Sequence, residues 1–219
     1  MDKTIHFSKV TEFVKNETRV AIGGFLAVGT PETLIGQLVD RKVTGLTIIG
    51  NDTSFTDKGI GRLIANRQAK KVIVSHIGTN PETGRQMNSG ELAVELVPQG
   101  TLAERLRCGG AGLGGVLTAT GLGTIVAEDK TVLEVDGKKY LLEKPLRAEV
   151  ALVKATKADK SGNLVCRRST RNFNPVIAMA ADIVIAEADE IVEVGAIDPD
   201  DVTIPGIFID YICHSERGA

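Results

Sequence analysis

Residues 21–34 read "AIGGFLAVGTPETL". An apolar run leads into Gly23 and Gly24. Phe25, Leu26, Ala27, Val28 and Gly29 follow, and Thr30-Pro31-Glu32 has the form of a helix start. A short apolar strand feeding a helix through a glycine turn is a building unit of parallel α/β sheets. Two glycines leaving a strand let backbone approach a ligand with no Cβ in the way. With Thr30 as N-cap and Pro31 at the first helical position, the helix end would direct free N–H groups to the same place, which favours an anion. Ligands of open α/β sheets bind at the carboxyl ends of the strands, where this turn falls. Close helix–sheet packing also calls for glycine, so both readings of the turn stay open.

The same alternation runs through the first half of the chain. Phe7, Val10, Phe13 and Val14 are helically spaced behind Ser8, a candidate N-cap. Leu34, Ile35, Leu38 and Val39 share one face of the helix after the turn. Strand-like runs follow at 46–50, 71–76 and 93–98, separated by helical stretches around 60–68 and 101–107. Thr101 and Glu104 have the spacing of a capping box. Beyond residue 120 the pattern becomes antiparallel, with Asp136-Gly137 as a two-residue hairpin signal. Further strands are expected in "AEVALVKATKADKSGNLV" and "ADIVIAEADEIV". The fold class is therefore α/β: a mostly parallel sheet covered by helices, with an antiparallel β insertion. No repeat or linker divides it, and residues 1–219 read as one domain.

Composition narrows the function. The chain of 219 residues carries a net charge of −2, with no block of Lys or Arg longer than "CRRSTR" (166–171). Two Tyr, six Phe and no Trp leave few platforms for stacking bases. Nucleic acid is not an expected partner. No apolar run approaches the roughly 20 residues that span a bilayer, and no signal-peptide layout opens the chain. Cys108, Cys166 and Cys213 are odd in number and widely spaced, which suits a reducing cytoplasm and no disulfide framework.

Several motifs carry no chemistry. Gly110, Gly112 and Gly115 satisfy G-x-G-x-x-G, but a helical stretch precedes them where a dinucleotide site needs a strand. The run reads as a helix end and turning loop. His6, His76 and His214 share no metal-ligand spacing, and no metal is expected. His76, closing an apolar strand, reads as a half-buried, satisfied side chain, with a place lining a cleft as the alternative. No serine sits in a nucleophile elbow. Asn51 and Gln99, each just past a strand, are neutral donors able to orient a carboxylate or stabilise an oxyanion, or else to satisfy loop backbone.

Taken together, "GGFLAVGTP", "NDTSFTDKGIGRLI", "SHIGTNPETGRQ", "GELAVELVPQGTLAERLRCGGAGLGG", "PLRAEVALVKATKADKSGNL" and "RNFNP" resemble the alpha subunit of the family I, or 3-oxoacid, CoA-transferases, near the bacterial acetate and butyrate–acetoacetate enzymes. The likeness runs along nearly the whole chain in family order. One departure is Asn16-Glu17, where the family has a small or Asn/Gly-type pair ahead of the strand.

The resemblance implies a CoA-transferase/ribose-phosphate-isomerase-like fold and a two-step acyl exchange through a glutamyl-CoA thioester. Coenzyme A and acyl-CoA enter as substrates, and no cofactor is bound permanently. The family's nucleophilic glutamate lies in a Ser-Glu-Asn-Gly-type segment of a beta subunit, and this chain has no such segment. An α2β2 heterotetramer, inactive without its beta subunit, is the implied assembly. Short carboxylic acids such as acetate, acetoacetate and butyrate are the implied substrates. By the same resemblance Gly23 to Gly29 belong to the CoA-binding signature, Gln99 matches the oxyanion-supporting glutamine, and Asn51 matches an acyl-pocket asparagine. Position 52 is often Asn in the family and is Asp52 here. A phosphosugar isomerase of the same broad fold and a ligand-sensing domain are the rival readings.

Overall fold

The computed structural model describes residues 1–216. A 3-10 turn (Phe7–Lys9) opens the chain and runs into a short helix, α1 (Val10–Phe13). The cap is His6, whose Nδ1 accepts the Ser8 N–H, because Ser8 itself already lies inside the turn. Strands and helices then alternate: β1 (Arg19–Ile22), α2 (Glu32–Asp40), β2 (Leu46–Ile49), α3 (Ile60–Ala65), β3 (Ala69–Val74), α4 (Pro81–Asn88), β4 (Ala93–Leu96) and α5 (Gln99–Gly110). The second half holds β5 (Val116–Thr118), β6 (Val132–Val135), β7 (Lys138–Glu143), β8 (Ala148–Asp159), β9 (Leu164–Val165), α6 (Asn174–Met179), β10 (Ala181–Val192) and β11 (Tyr211–His214).

The main sheet has the order β11-β10-β8-β1-β2-β3-β4, every neighbouring pair parallel, and β9 folds back antiparallel on β8. β1 is central. Val20 aligns with Ile48 of β2 on one side and with Val150 of β8 on the other. Side chains alternate between two cores, as period-two geometry requires. Val20 and Ile22 pack with Leu34, Leu38, Ile48 and Leu63 on one face, and Ala21 packs with Ile49, Leu102, Val153 and Ile177 on the other. Every residue of β2 is buried, which is why parallel strands read as continuous apolar runs.

Two helix starts differ from expectation. Helix α5 begins at Gln99, so Thr101 falls inside it and makes no cap. Helix α4 is capped by Asn80, which accepts from the Glu82 and Thr83 N–H groups, with Pro81 at its first position. Its only buried residues are Thr83 and Gln86, so it leaves little apolar periodicity to read. At its other end α5 stops at Gly110. A Cβ on Gly109 would stand 2.3 Å from the Leu146 carbonyl oxygen, so the glycine run there closes a packing contact.

A separate antiparallel sheet, β5-β7-β6, forms the insertion. Asp136 (φ 50°) and Gly137 (φ 74°) make the turn between β6 and β7, both left-handed, which is the primed-turn geometry that matches strand twist. All four residues of β6 are exposed.

Candidate functional site

The carboxyl ends of β1, β2, β3 and β4 form one rim. It carries the Gly23–Gly29 turn, Asn51 and Asp52, Ser75 and His76, and Gln99 at the start of α5. Gly23 continues the ladder by donating its N–H to Leu152 O at 2.9 Å. Phe25 and Val28 then exchange backbone hydrogen bonds of 3.0 and 2.9 Å around Leu26 (φ 46°) and Ala27 (φ 68°). Two non-glycine residues in left-handed backbone cost of order 1–3 kcal/mol each and persist only where the surroundings over-determine them.

Those surroundings come from distant segments. Asp52 Oδ2 accepts the Leu26 N–H at 3.0 Å. Asn172 Nδ2 donates to Val28 O and Asn174 Nδ2 to Gly29 O, both at 2.9 Å. Asn174 Oδ1 also accepts the Lys154 N–H at 2.9 Å, so the "RNFNP" segment ties the turn to β8.

The glycines of the turn are packing residues. A Cβ on Gly23 would lie 1.8 Å from Asn174 Oδ1, and one on Gly24 (φ 125°) 2.1 Å from Thr30 Oγ1. One on Gly29 (φ 65°) would lie 2.8 Å from Thr170 Cα. Thr30 therefore packs against the turn and is not the N-cap of α2; Pro31 holds that position without a side-chain cap.

Nor are the first N–H groups of α2 free for an anion. Glu187, from β10, supplies one: its Oε2 accepts from Thr33 N at 2.9 Å and Leu34 N at 3.1 Å. Its Oε1 accepts from Thr33 Oγ1, Lys154 Nζ and Ser215 Oγ. Lys154 Nζ also pairs with Asp189 Oδ1 at 2.5 Å. Glu187 is 1% exposed, and this ionic cluster lies at the start of α2. A glutamate inside "ADIVIAEADEIV" was the available signal: a charge in a buried strand needs partners.

A second network joins the expected residues to one another. Asn51, buried at 2% exposure, donates from Nδ2 to Asp52 Oδ2 at 2.7 Å. Its Oδ1 accepts from Gln99 Nε2 at 2.7 Å. Asp52 Oδ1 accepts the Ser54 N–H at 2.7 Å. Asp52 thus turns inward, and Gln99 lies exposed on the rim. His76 pairs its backbone with Asp52 and its side chain is exposed, not half-buried. Nearby, burial raises the Glu95 carboxyl, but hydrogen bonds from Lys71 and Arg105 outweigh it and hold the group below the usual range. Cys108, Cys166 and Cys213 are all buried and free, and burial pushes Cys166 up to about 11. Among the described residues, no helix is long and apolar enough to cross a membrane.

The fold is shared with solved CoA-transferases. Two solved examples superpose on it with TM-scores of 0.87. Glutaconate coenzyme A-transferase from Acidaminococcus fermentans is 20% identical, the match covering 97% of this chain and 75% of that one. An acyl-CoA transferase from Escherichia coli O157:H7 is 22% identical; all of this chain matches 48% of that one, so the chain spans about half its length. The Coenzyme A transferase family model matches residues 5–215, and the chain belongs to that family, with the alpha type of chain as its relatives. The alpha chain of the acetate CoA-transferase of Escherichia coli K12 is 54% identical over 98% of both chains. The alpha chain of the acetoacetyl-CoA:acetate/butyrate CoA transferase of Clostridium acetobutylicum is 49% identical over 96% of both. Neither the isomerase nor the sensor reading is favoured by these relatives.

Proposed function

We propose that this chain works with a beta subunit, as an α2β2 heterotetramer in the cytoplasm, to move CoA between a short acyl-CoA and a short carboxylic acid. Acetate, acetoacetate and butyrate are the acids of this reading, and the names of its relatives carry acetate, butyrate and acetoacetyl-CoA. What carries the reading is 54% identity over 98% of both chains to the alpha chain of an acetate CoA-transferase. Residues 1–219 serve as one functional unit in this reading.

The nucleophile comes from the partner. Asp52, which bonds the turn, and Glu187, which caps α2, are 4% and 1% exposed and engaged by several donors each. A carboxylate nucleophile needs an unengaged oxygen lone pair facing its substrate. The partner's glutamate attacks the thioester carbonyl, expels CoA thiolate and forms an acyl–glutamyl anhydride. The thiolate then attacks the glutamyl carbonyl and releases the first carboxylate, which leaves a glutamyl-CoA thioester. A second carboxylate reverses both steps and departs as the new acyl-CoA. Each intermediate keeps one activated carbonyl, the anhydride's first and the glutamyl thioester's second, so no external energy source enters.

In this scheme Gln99 donates from its amide to the oxyanion of each tetrahedral intermediate. The Gly23–Gly29 turn and Asn51 shape the wall on which the acyl-CoA lies. The test is reconstitution: rigorously purified chain should be inactive with acetoacetyl-CoA and acetate, and gain turnover on addition of its beta subunit. Robust turnover by the chain alone would overturn the proposal.

A further inference from the structure

The hydrogen-bond chemistry from Asp52 to Gln99 has a fixed direction. All three groups that touch the Asp52 carboxylate are N–H donors: Leu26 N, Asn51 Nδ2 and Ser54 N. A carboxylate only accepts, so Asn51 must turn its Nδ2 toward Asp52. Its Oδ1 must then face the other way, where Gln99 Nε2 lies at 2.7 Å and Ser75 Oγ at 3.4 Å. An amide oxygen also only accepts. Gln99 is thereby required to present its nitrogen, and not its oxygen, to Asn51. An amide on an exposed side chain would otherwise rotate end for end with little to choose between the two states.

We propose that Asp52 is a positioning residue for acyl transfer: acting through Asn51, its buried carboxylate fixes the orientation of the Gln99 amide. The same oxygen, Oδ2, that receives Asn51 Nδ2 also receives the Leu26 N–H. One atom therefore joins the amide relay to the left-handed turn, so the wall that meets acyl-CoA and the donor that meets the oxyanion share an anchor. The inference rests on the reading of Gln99 as oxyanion donor.

Asp52→Ala tests the point because it removes both acceptor oxygens. Asp52→Asn would not: with its oxygen in the place of Oδ2 it still accepts from Leu26 and Asn51 and loses only Ser54, so the relay keeps its direction. In Asp52→Ala nothing fixes which end of the Asn51 amide faces Gln99.

The experiment is a double-mutant cycle in the assembled α/β enzyme, with acetoacetyl-CoA and acetate and with tetramer content and Tm measured for each variant. Gln99→Ala should lower kcat by about 10²–10³-fold, the range for loss of one oxyanion donor. Asp52→Ala should lower kcat by about 10–100-fold, as loss of a partner that orients a functional group does. Its KM for acetoacetyl-CoA should rise as well, because the turn loses the acceptor of the Leu26 N–H, and the fall in kcat is the part that reports the relay. The double variant should be no slower than Gln99→Ala alone within about twofold, since residues acting through one another do not add. Losses in kcat that multiply, or a native kcat in Asp52→Ala beside an impaired Gln99→Ala, would overturn the inference and leave the function standing. A native rate in Gln99→Ala would instead remove the reading on which it rests, and the inference with it. Should Asp52→Ala fail to assemble, Asn51→Ala cuts the relay while leaving both backbone bonds of Asp52 in place. The same cycle then decides.

Discussion

The carboxylate of Glu187 caps α2 from inside the sheet, taking the Thr33 N–H at 2.9 Å. A helix end at a strand-end rim is often where an anionic ligand binds, and here the protein's own β10 fills it. The Lys154 ammonium, at 3.2 Å, balances the buried charge.

Glu187→Gln should therefore act on stability. The new NH2 group would face Lys154, Ser215 or the α2 N–H groups, donor against donor. Breaking one partner of a buried ion pair costs about 3–5 kcal/mol, which at 2–4 °C per kcal/mol lowers Tm by roughly 6–20 °C for a chain of this size. Calorimetry and acyl-CoA kinetics on the assembled fraction separate the readings. An unchanged Tm with a raised KM would put a ligand, and not Glu187, at the helix end.

Gly24→Ala tests the packing account of the turn. The added Cβ meets Thr30 Oγ1 at 2.1 Å on a backbone with φ of 125°. Alanine forced into such a conformation costs more than about 1 kcal/mol. Removing the obstacle in Gly24→Ala/Thr30→Ala should restore part of the lost Tm, though not the part due to backbone. A native Tm in Gly24→Ala with failed acyl-CoA use would show that ligand approach, not packing, demands the glycine.

Arg85 gives a pH-dependent prediction. Its hydrogen bonds, with help from Gln86, hold Glu82 at about 2, and with help from Ser89 they hold Glu91 at about 2, against an ordinary 4.5. Carboxyls depressed in the folded state add stability above the unfolded pKa and lose it as pH falls through the folded one. The window is therefore about pH 4.5 down to 2. Arg85→Met should lower Tm at pH 7, with the deficit narrowing steadily as pH falls from about 4.5 to 2 and also shrinking in salt because the cluster is solvent-exposed. Equal Tm at pH 7 would remove the cluster from the stability of the fold.

Much of this architecture was legible in the sequence because its signals are local. Apolar runs of β2 and β3, the Asp136-Gly137 turn and the helical face of Leu34, Ile35 and Leu38 each depend on neighbours a few residues away. Helix α4 escaped because its cap lies in Asn80-Pro81 and its buried face is polar. The rim was legible as parts and not as a whole. Gln99, Asn51 and the glycine turn could each be named, but the bonds that join them cross from one strand end to the next. Glu187 as the cap of α2 is the extreme case. No spacing within residues 30–34 foretells a carboxylate that parallel pairing delivers from the far side of the sheet.

The place of β1 in the sheet bears on how the chain folds as it is made. Its neighbour β2 follows almost at once, but its other neighbour, β8, pairs Val150 with Val20. At ribosomal rates of about 5–20 residues per second, the older edge waits roughly 7–26 s for the younger one. Throughout that interval β1, β2, β3 and β4 can associate while the central strand shows an open row of N–H and C=O groups and half a hydrophobic core. Pairings of such long sequence separation form slowly even in the complete chain. The nascent chain is thus most exposed to misassembly along the strand that ends up deepest inside it, and a chaperone engaging it before residue 150 emerges would shield that edge.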